Sequence, residues 1–134
     1  MFRKRERADQ NEPDLLTQTQ SPSQEVWDAG RRELNVGMSM LLAGEAAVRE
    51  DQPFASNERL EIMLSHLTSA MYSFEILIER KAHLEIVEPL AEGCRRLSEG
   101  LLNGDGTELF EGRRLIWQTM VPIEEEQERR QRES

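Results

Sequence analysis

Apolar residues return along the chain at steps of three and four, the period of a helix buried on one side, and they do so in four separate blocks. The first block carries Trp27, Leu34, Met38, Leu41 and Val48 on one stripe, with a single polar lapse at Glu45. Ser21-Pro22-Ser23-Gln24 opens it with a serine at the N-cap, proline at the first helical position and glutamine three residues after the cap. The helix is expected to run to about Asp51, ahead of Pro53, unless it breaks at Gly30.

The second block is the most regular. Leu60, Leu64, Leu67, Met71, Phe74 and Ile78 follow steps of four, three, four, three and four, with Met63 and Leu77 widening the seam. This helix is expected to open at Ser56 or Asn57 and reach about Ala82, with Arg80, Lys81 and His83 at its electronegative end. A third helix over residues 84–103 places Val87, Leu90, Cys94, Leu97 and Leu101 on one stripe and holds Pro89 in its early turns. Asn103-Gly104-Asp105-Gly106 is a stop and a restart, with glycine for a left-handed cap and Asp105 or Thr107 as the next N-cap. A fourth helix sets Leu109, Ile116, Met120 and Ile123 on one side, with Phe110, Trp117 and Val121 beside them, and Pro122 kinks or ends it.

These blocks predict an all-α chain folded as an up-down antiparallel four-helix bundle with flexible polar termini. Residues 1–20 are expected to be a disordered tail with a basic cluster (Arg3, Lys4, Arg5, Arg7) and the Leu15–Leu16 pair. Residues 21–123 form the bundle, and the wholly polar residues 124–134 form a charged tail, frayed helix or coil.

Small residues add a second pattern. Gly30, Gly37 and Gly44 recur every seven residues, close to Ala29, Ala43 and Ala47. An interior glycine disfavours a helix by about 1 kcal/mol relative to alanine, so three on one face imply a groove where another helix comes close. That helix belongs either to this chain or to a partner.

Composition narrows the function. The 134 residues carry a net charge of −9, which does not suit a protein that tracks nucleic-acid phosphates. Of seventeen cations all but Lys4 and Lys81 are arginine, the residue suited to planar pairing with carboxylates. Arginine doublets stand at Arg31–Arg32, Arg95–Arg96, Arg113–Arg114 and Arg129–Arg130, placed either to bridge to neighbouring glutamates or to read a partner's carboxylates. The lone Cys94 permits no internal disulfide and falls on a buried stripe, as a core thiol. No stretch approaches the roughly 20 apolar residues of a membrane span, and no secretory leader is expected; a cytoplasmic location follows.

Catalytic chemistry finds little to work with. His66 and His83 are the only imidazoles, and His66 has no aspartate nearby in sequence to orient it. Glu79 and His83 could share a helical face, but the repeated Glu-x-x-His of carboxylate-bridged metal bundles is missing, as are zinc spacings, phosphate loops and nucleophile elbows. No enzyme activity, metal or cofactor is therefore expected.

From Ser56 to Val121 the order of features resembles the flagellin export chaperones, short cytoplasmic helical bundles. A long helix with a strict seam is followed by Arg95-Arg96-Leu97 with Glu99, then Leu101-Leu102-Asn103-Gly104-Asp105, then a last helix with Arg113-Arg114-Leu115. The chain departs from that pattern at Leu90-Ala91, which lacks the aromatic expected before the Arg pair, and at Trp117, which comes early in its helix. The resemblance implies that outer grooves of the bundle wrap the terminal segment of an unfolded export substrate.

A non-enzymatic, protein-binding bundle of chaperone or adaptor type is thus expected, partnered by another protein or a second copy of itself, with no membrane or nucleic-acid ligand. The alternative is a small helical subunit of a phage or nucleic-acid-associated complex. The side chains expected to meet the partner are Gly30, Gly37 and Gly44 with Trp27 on the first helix, and Trp117, Arg113 and Arg114 on the fourth.

Overall fold

A computed structural model describes residues 22–133, so the expectations for the N-terminal tail and for Ser21 as a cap lie outside the described residues. Four helices follow one another: α1 (Pro22–Arg49), α2 (Asn57–Glu79), α3 (Leu84–Asn103) and α4 (Gly106–Glu133). Each packs closely against its neighbour in sequence. Gly30 lies against Ser73 and Phe74, Gly37 against Leu67 and Gly44 against Phe54, so α1 and α2 run in opposite directions. Gly93 lies against Gly112 and Ile116, and Gly100 against Asp105 and Leu109, so α3 and α4 are antiparallel as well. The predicted all-α, up-down bundle is what the chain forms.

α1 and α4 meet differently. Long side chains join them: Arg113 pairs with Glu45, while Arg31 reaches Glu124 at 3.6 Å and Gln127 at 3.1 Å. Glu45, the polar lapse in the first stripe, is thus the acceptor for an arginine on the fourth helix.

The core is built largely from the predicted stripes. On α1, Trp27, Leu34, Met38 and Leu41 are buried, and α1 is continuous through Gly30, while Val48 faces outward. On α3, Val87, Leu90, Cys94, Leu97 and Leu101 are all buried. On α2 the deepest residues are Met63, Leu67, Ala70, Phe74 and Leu77: Leu67 and Phe74 come from the predicted seam, Met63 and Leu77 from its predicted widening, and Ala70 is new. Leu60, Leu64, Met71 and Ile78 pack on the core edge. α2 lies between α1 and α3 and so buries a broad sector, whose middle is occupied by the small Ala70.

The helix ends explain the lengths. Ser56 caps α2, its Oγ accepting from the Arg59 N–H at 3.2 Å, and Asp105 caps α4, accepting from Thr107 and Glu108 N–H. α2 ends at Glu79, three residues short of the expected Ala82, because Lys81 turns left-handed (φ 55°). The Lys81 and Ala82 N–H groups then donate back to Ile78 and Leu77 carbonyls, and Ala82 becomes buried. His83 is also left-handed (φ 48°), while Gly104 (φ 64°) takes the predicted glycine cap after α3.

α4 decides between the alternatives left open at its end. Pro122 does not end the helix, which continues to Glu133, so the charged residues 124–133 are helical. Ion pairs one turn apart, Arg129 with Glu126 and Glu133, line this charged segment, and Arg31 ties its base to α1.

Candidate functional site

The seven residues expected at a partner surface divide sharply. Gly30, Gly37 and Gly44 do receive a closely approaching segment, and it is the chain's own. A Cβ built on Gly37 would stand 2.8 Å from Leu67 Cδ2, and one on Gly30 would stand 2.9 Å from Ser73 Cβ. At Gly44 the ring of Phe54, from the α1–α2 connection, fills the space at 2.6 Å. Trp27 is fully buried, its ring 5.9 Å from that of Phe74. These four positions build the bundle and present nothing to an incoming molecule.

α4 is the reverse. Trp117 is 46% exposed, Phe110 55% and Val121 44%. Spaced seven and four apart, they fall on one exposed line along the helix, about a third of a turn round from Gly112, Ile116 and Met120, which face the core. The guanidinium of Arg113 lies over the Trp117 ring, 5.5 Å from its centroid, while its other side pairs with Glu45. Arg114 is held by Glu111 at 2.5 Å and by Gln118 at 3.4 Å. An aromatic ring braced by arginine and ringed by polar groups has the composition of the residues that carry most of the energy in protein interfaces. Trp117, Arg113 and Arg114 are therefore brought together, with Phe110 and Val121 added by the structure. Those two were legible as apolar residues beside the main α4 stripe, but nothing in the sequence marked them as the outward side.

The Arg95–Arg96 doublet is spent inside the chain. Arg95 bonds Glu92 and Glu99, and Arg96 bonds Glu92 and Glu108. The hydrogen bond from Arg95, aided by Arg96, holds the Glu92 carboxyl below its ordinary range. This cluster makes the Arg95-Arg96-Leu97-x-Glu99 segment a clamp across the α3–α4 turn.

Chemistry beyond binding is sparse among the described residues. His66 Nδ1 lies 2.5 Å from Glu33 Oε2, a pairing across α1 and α2 that sequence spacing could not reveal. Both are part-exposed, and the structure records no hydroxyl or thiol bonded to them. Burial pushes the Cys94 thiol up to about 12, leaving it protonated at neutral pH. No group of three His, Cys, Asp or Glu side chains converges as a metal site requires. A recess of about 250 Å³ between the end of α1 and the start of α2 is lined by Met40, Ala43, Phe54 and Met63, with Arg59 its one charged residue. No helix is long and apolar enough to cross a membrane.

No protein-family model matches the chain, and no curated protein or solved structure matches it either.

Proposed function

We propose that this chain is a non-enzymatic helical bundle that binds another polypeptide through the outer face of α4, in the manner of a chaperone or adaptor. One observation carries this reading: three large apolar side chains, Phe110, Trp117 and Val121, stand outward on one helical line with Arg113 braced over the indole. Each is about half exposed, so covering it with a partner would contribute about 1 kcal/mol per side chain. The Arg113–Glu45 and Arg31–Glu124 pairs tie α4 to α1 and leave the three apolar side chains half exposed.

A flagellar export chaperone is the narrower form of this proposal. It is supported by the antiparallel bundle and by the Arg95-Arg96-Leu97-x-Glu99 segment ahead of an outward-facing last helix. The test is affinity capture from native lysate by the wild-type chain and by Phe110→Ser/Trp117→Ser, followed by mass spectrometry, with a flagellin terminal segment titrated in parallel. Partners retained by the wild type and lost by the variant are expected. An identical capture profile would overturn the α4 assignment, and a flagellin segment that binds neither protein would overturn the narrower form.

A further inference from the structure

The outer line of α4 extends beyond its three apolar residues. Phe110, Arg114, Trp117, Val121, Glu124 and Glu128 follow steps of four, three, four, three and four, and all six are exposed. This is a complete second seam of the kind that pairs two helices, on the flank beside the one that packs in the bundle. Its charges are segregated, with Arg114 toward the N-terminal end of the seam and Glu124 and Glu128 toward the C-terminal end; Glu124 also approaches Arg31 of its own chain at 3.6 Å and stays half exposed.

That segregation selects an occupant. A second copy of α4 laid parallel would set Arg114 on Arg114 and Glu124 on Glu124, which is repulsive in both layers. Laid antiparallel, the same seam becomes self-complementary. Trp117 falls opposite Val121 of the second copy, Arg114 opposite its Glu124, and Phe110 opposite the methylenes of its Glu128. Two apolar layers then lie at the centre, with an Arg–Glu layer on each side of them. A two-fold contact of this kind is the commonest form of self-association. One like-charge approach remains, between Glu111 and Glu125 of the second copy, on the flank where Arg114 already pairs with Glu111.

We infer that the chain forms a two-fold homodimer through antiparallel pairing of its α4 outer faces, with Trp117 and Val121 at the centre and Arg114 against Glu124 of the second copy. This rests on the proposal that the α4 face binds protein, and names that protein as the chain itself. With two apolar layers the contact is small, and it belongs with weak, reversible interfaces, monomeric near ~1 µM and dimeric toward ~100 µM.

The register makes the test specific. In this pairing Gln118, exposed on the flank of the seam, lies beside Gln118 of the second copy, whereas Glu125 lies beside Glu111. Full-length Gln118→Cys and Glu125→Cys proteins are treated with a short bismaleimide at ~50 µM; native Cys94 is buried and does not compete. Gln118→Cys should give a covalent dimer several-fold faster than Glu125→Cys, Trp117→Ser added to Gln118→Cys should abolish it, and sedimentation of the unmodified chain should show the dimer. A chain monomeric at ~200 µM, or equal cross-linking at both positions, overturns the inference. So does a chain that dimerises only when residues 1–20 are removed, which would make its own N-terminal segment the occupant. If the chain is monomeric while capture of another protein still depends on Trp117, the homodimer fails alone; if Trp117 affects neither, the binding face itself is wrong.

Discussion

The α3–α4 contact gives the sharpest stability prediction, because backbone meets backbone there. A Cβ added at Gly112 would lie 2.7 Å from the Gly93 carbonyl oxygen and 3.0 Å from both Leu97 N and Leu97 Cγ. Cβ atoms in proteins essentially never come within 3.0 Å of another atom, and a backbone oxygen cannot rotate away as a side-chain end can. The two helices must part by several tenths of an ångström, along a line that includes Leu97 and Ile116, both buried. Overpacking of this kind costs about 1–3 kcal/mol, with the rigid neighbour favouring the upper end. Alanine returns about 1 kcal/mol through its better helix propensity. The net loss for Gly112→Ala is about 2 kcal/mol, or about 10 °C in Tm for a domain of this size. Urea and thermal unfolding followed by circular dichroism measure it. Gly106→Ala is the control, since nothing lies within 4 Å of its added Cβ, and it should be neutral or stabilising by up to about 1 kcal/mol. A Gly112→Ala protein as stable as the wild type would mean that α3 and α4 do not approach as described.

Three further outcomes are expected. Leu67→Ala, which truncates a fully buried side chain at the α1–α2 contact, should lose about 2–5 kcal/mol in urea unfolding. Lys81→Gly should instead stabilise the fold by about 1 kcal/mol, because a left-handed residue with a Cβ is replaced by one without it, and a lower Tm would contradict the cap. Cys94 should stay unmodified by a thiol reagent at pH 8 until the chain is denatured. Because folding raises its pKa to about 12, its contribution is full below the unfolded thiol's pKa and is lost as pH rises toward 12. The stability of the wild type should therefore fall more steeply between pH 9 and 12 than that of Cys94→Ala.

Periodicity carried most of the fold. The α3 stripe and the Gly104 cap were legible residue by residue, because one helix face and one left-handed position each have a strong chemical signature. On α2 the pattern names Met63, Leu67, Phe74 and Leu77 but misses Ala70, since alanine carries almost no hydrophobic weight and yet sits at the centre of a helix packed on two sides. The 80–83 turn left no mark in the sequence, as it uses Lys81 and His83 where glycine or asparagine would announce a left-handed residue. Gly93 and Gly100 stand seven apart, the same signal that was read in the first helix, and with Gly112 they form the α3–α4 contact. The signal itself could not say whose helix filled the groove; that depended on how the connections folded, and both glycine contacts are satisfied within the chain. On the fourth helix two apolar lines lie side by side, and only the packing of Gly112, Ile116 and Met120 decides that Phe110, Trp117 and Val121 face out.

Site-directed photo-cross-linking tests most directly the claim that the outer line of α4, rather than the exposed side of α1, meets other polypeptides. A photoreactive phenylalanine is placed at Trp117 in one protein and at Val36, exposed on α1, in another, and each is irradiated in native lysate. The account predicts discrete protein adducts from position 117, whether of a second copy or of a different chain, and none from position 36. Adducts from position 36 with none from 117 would contradict it.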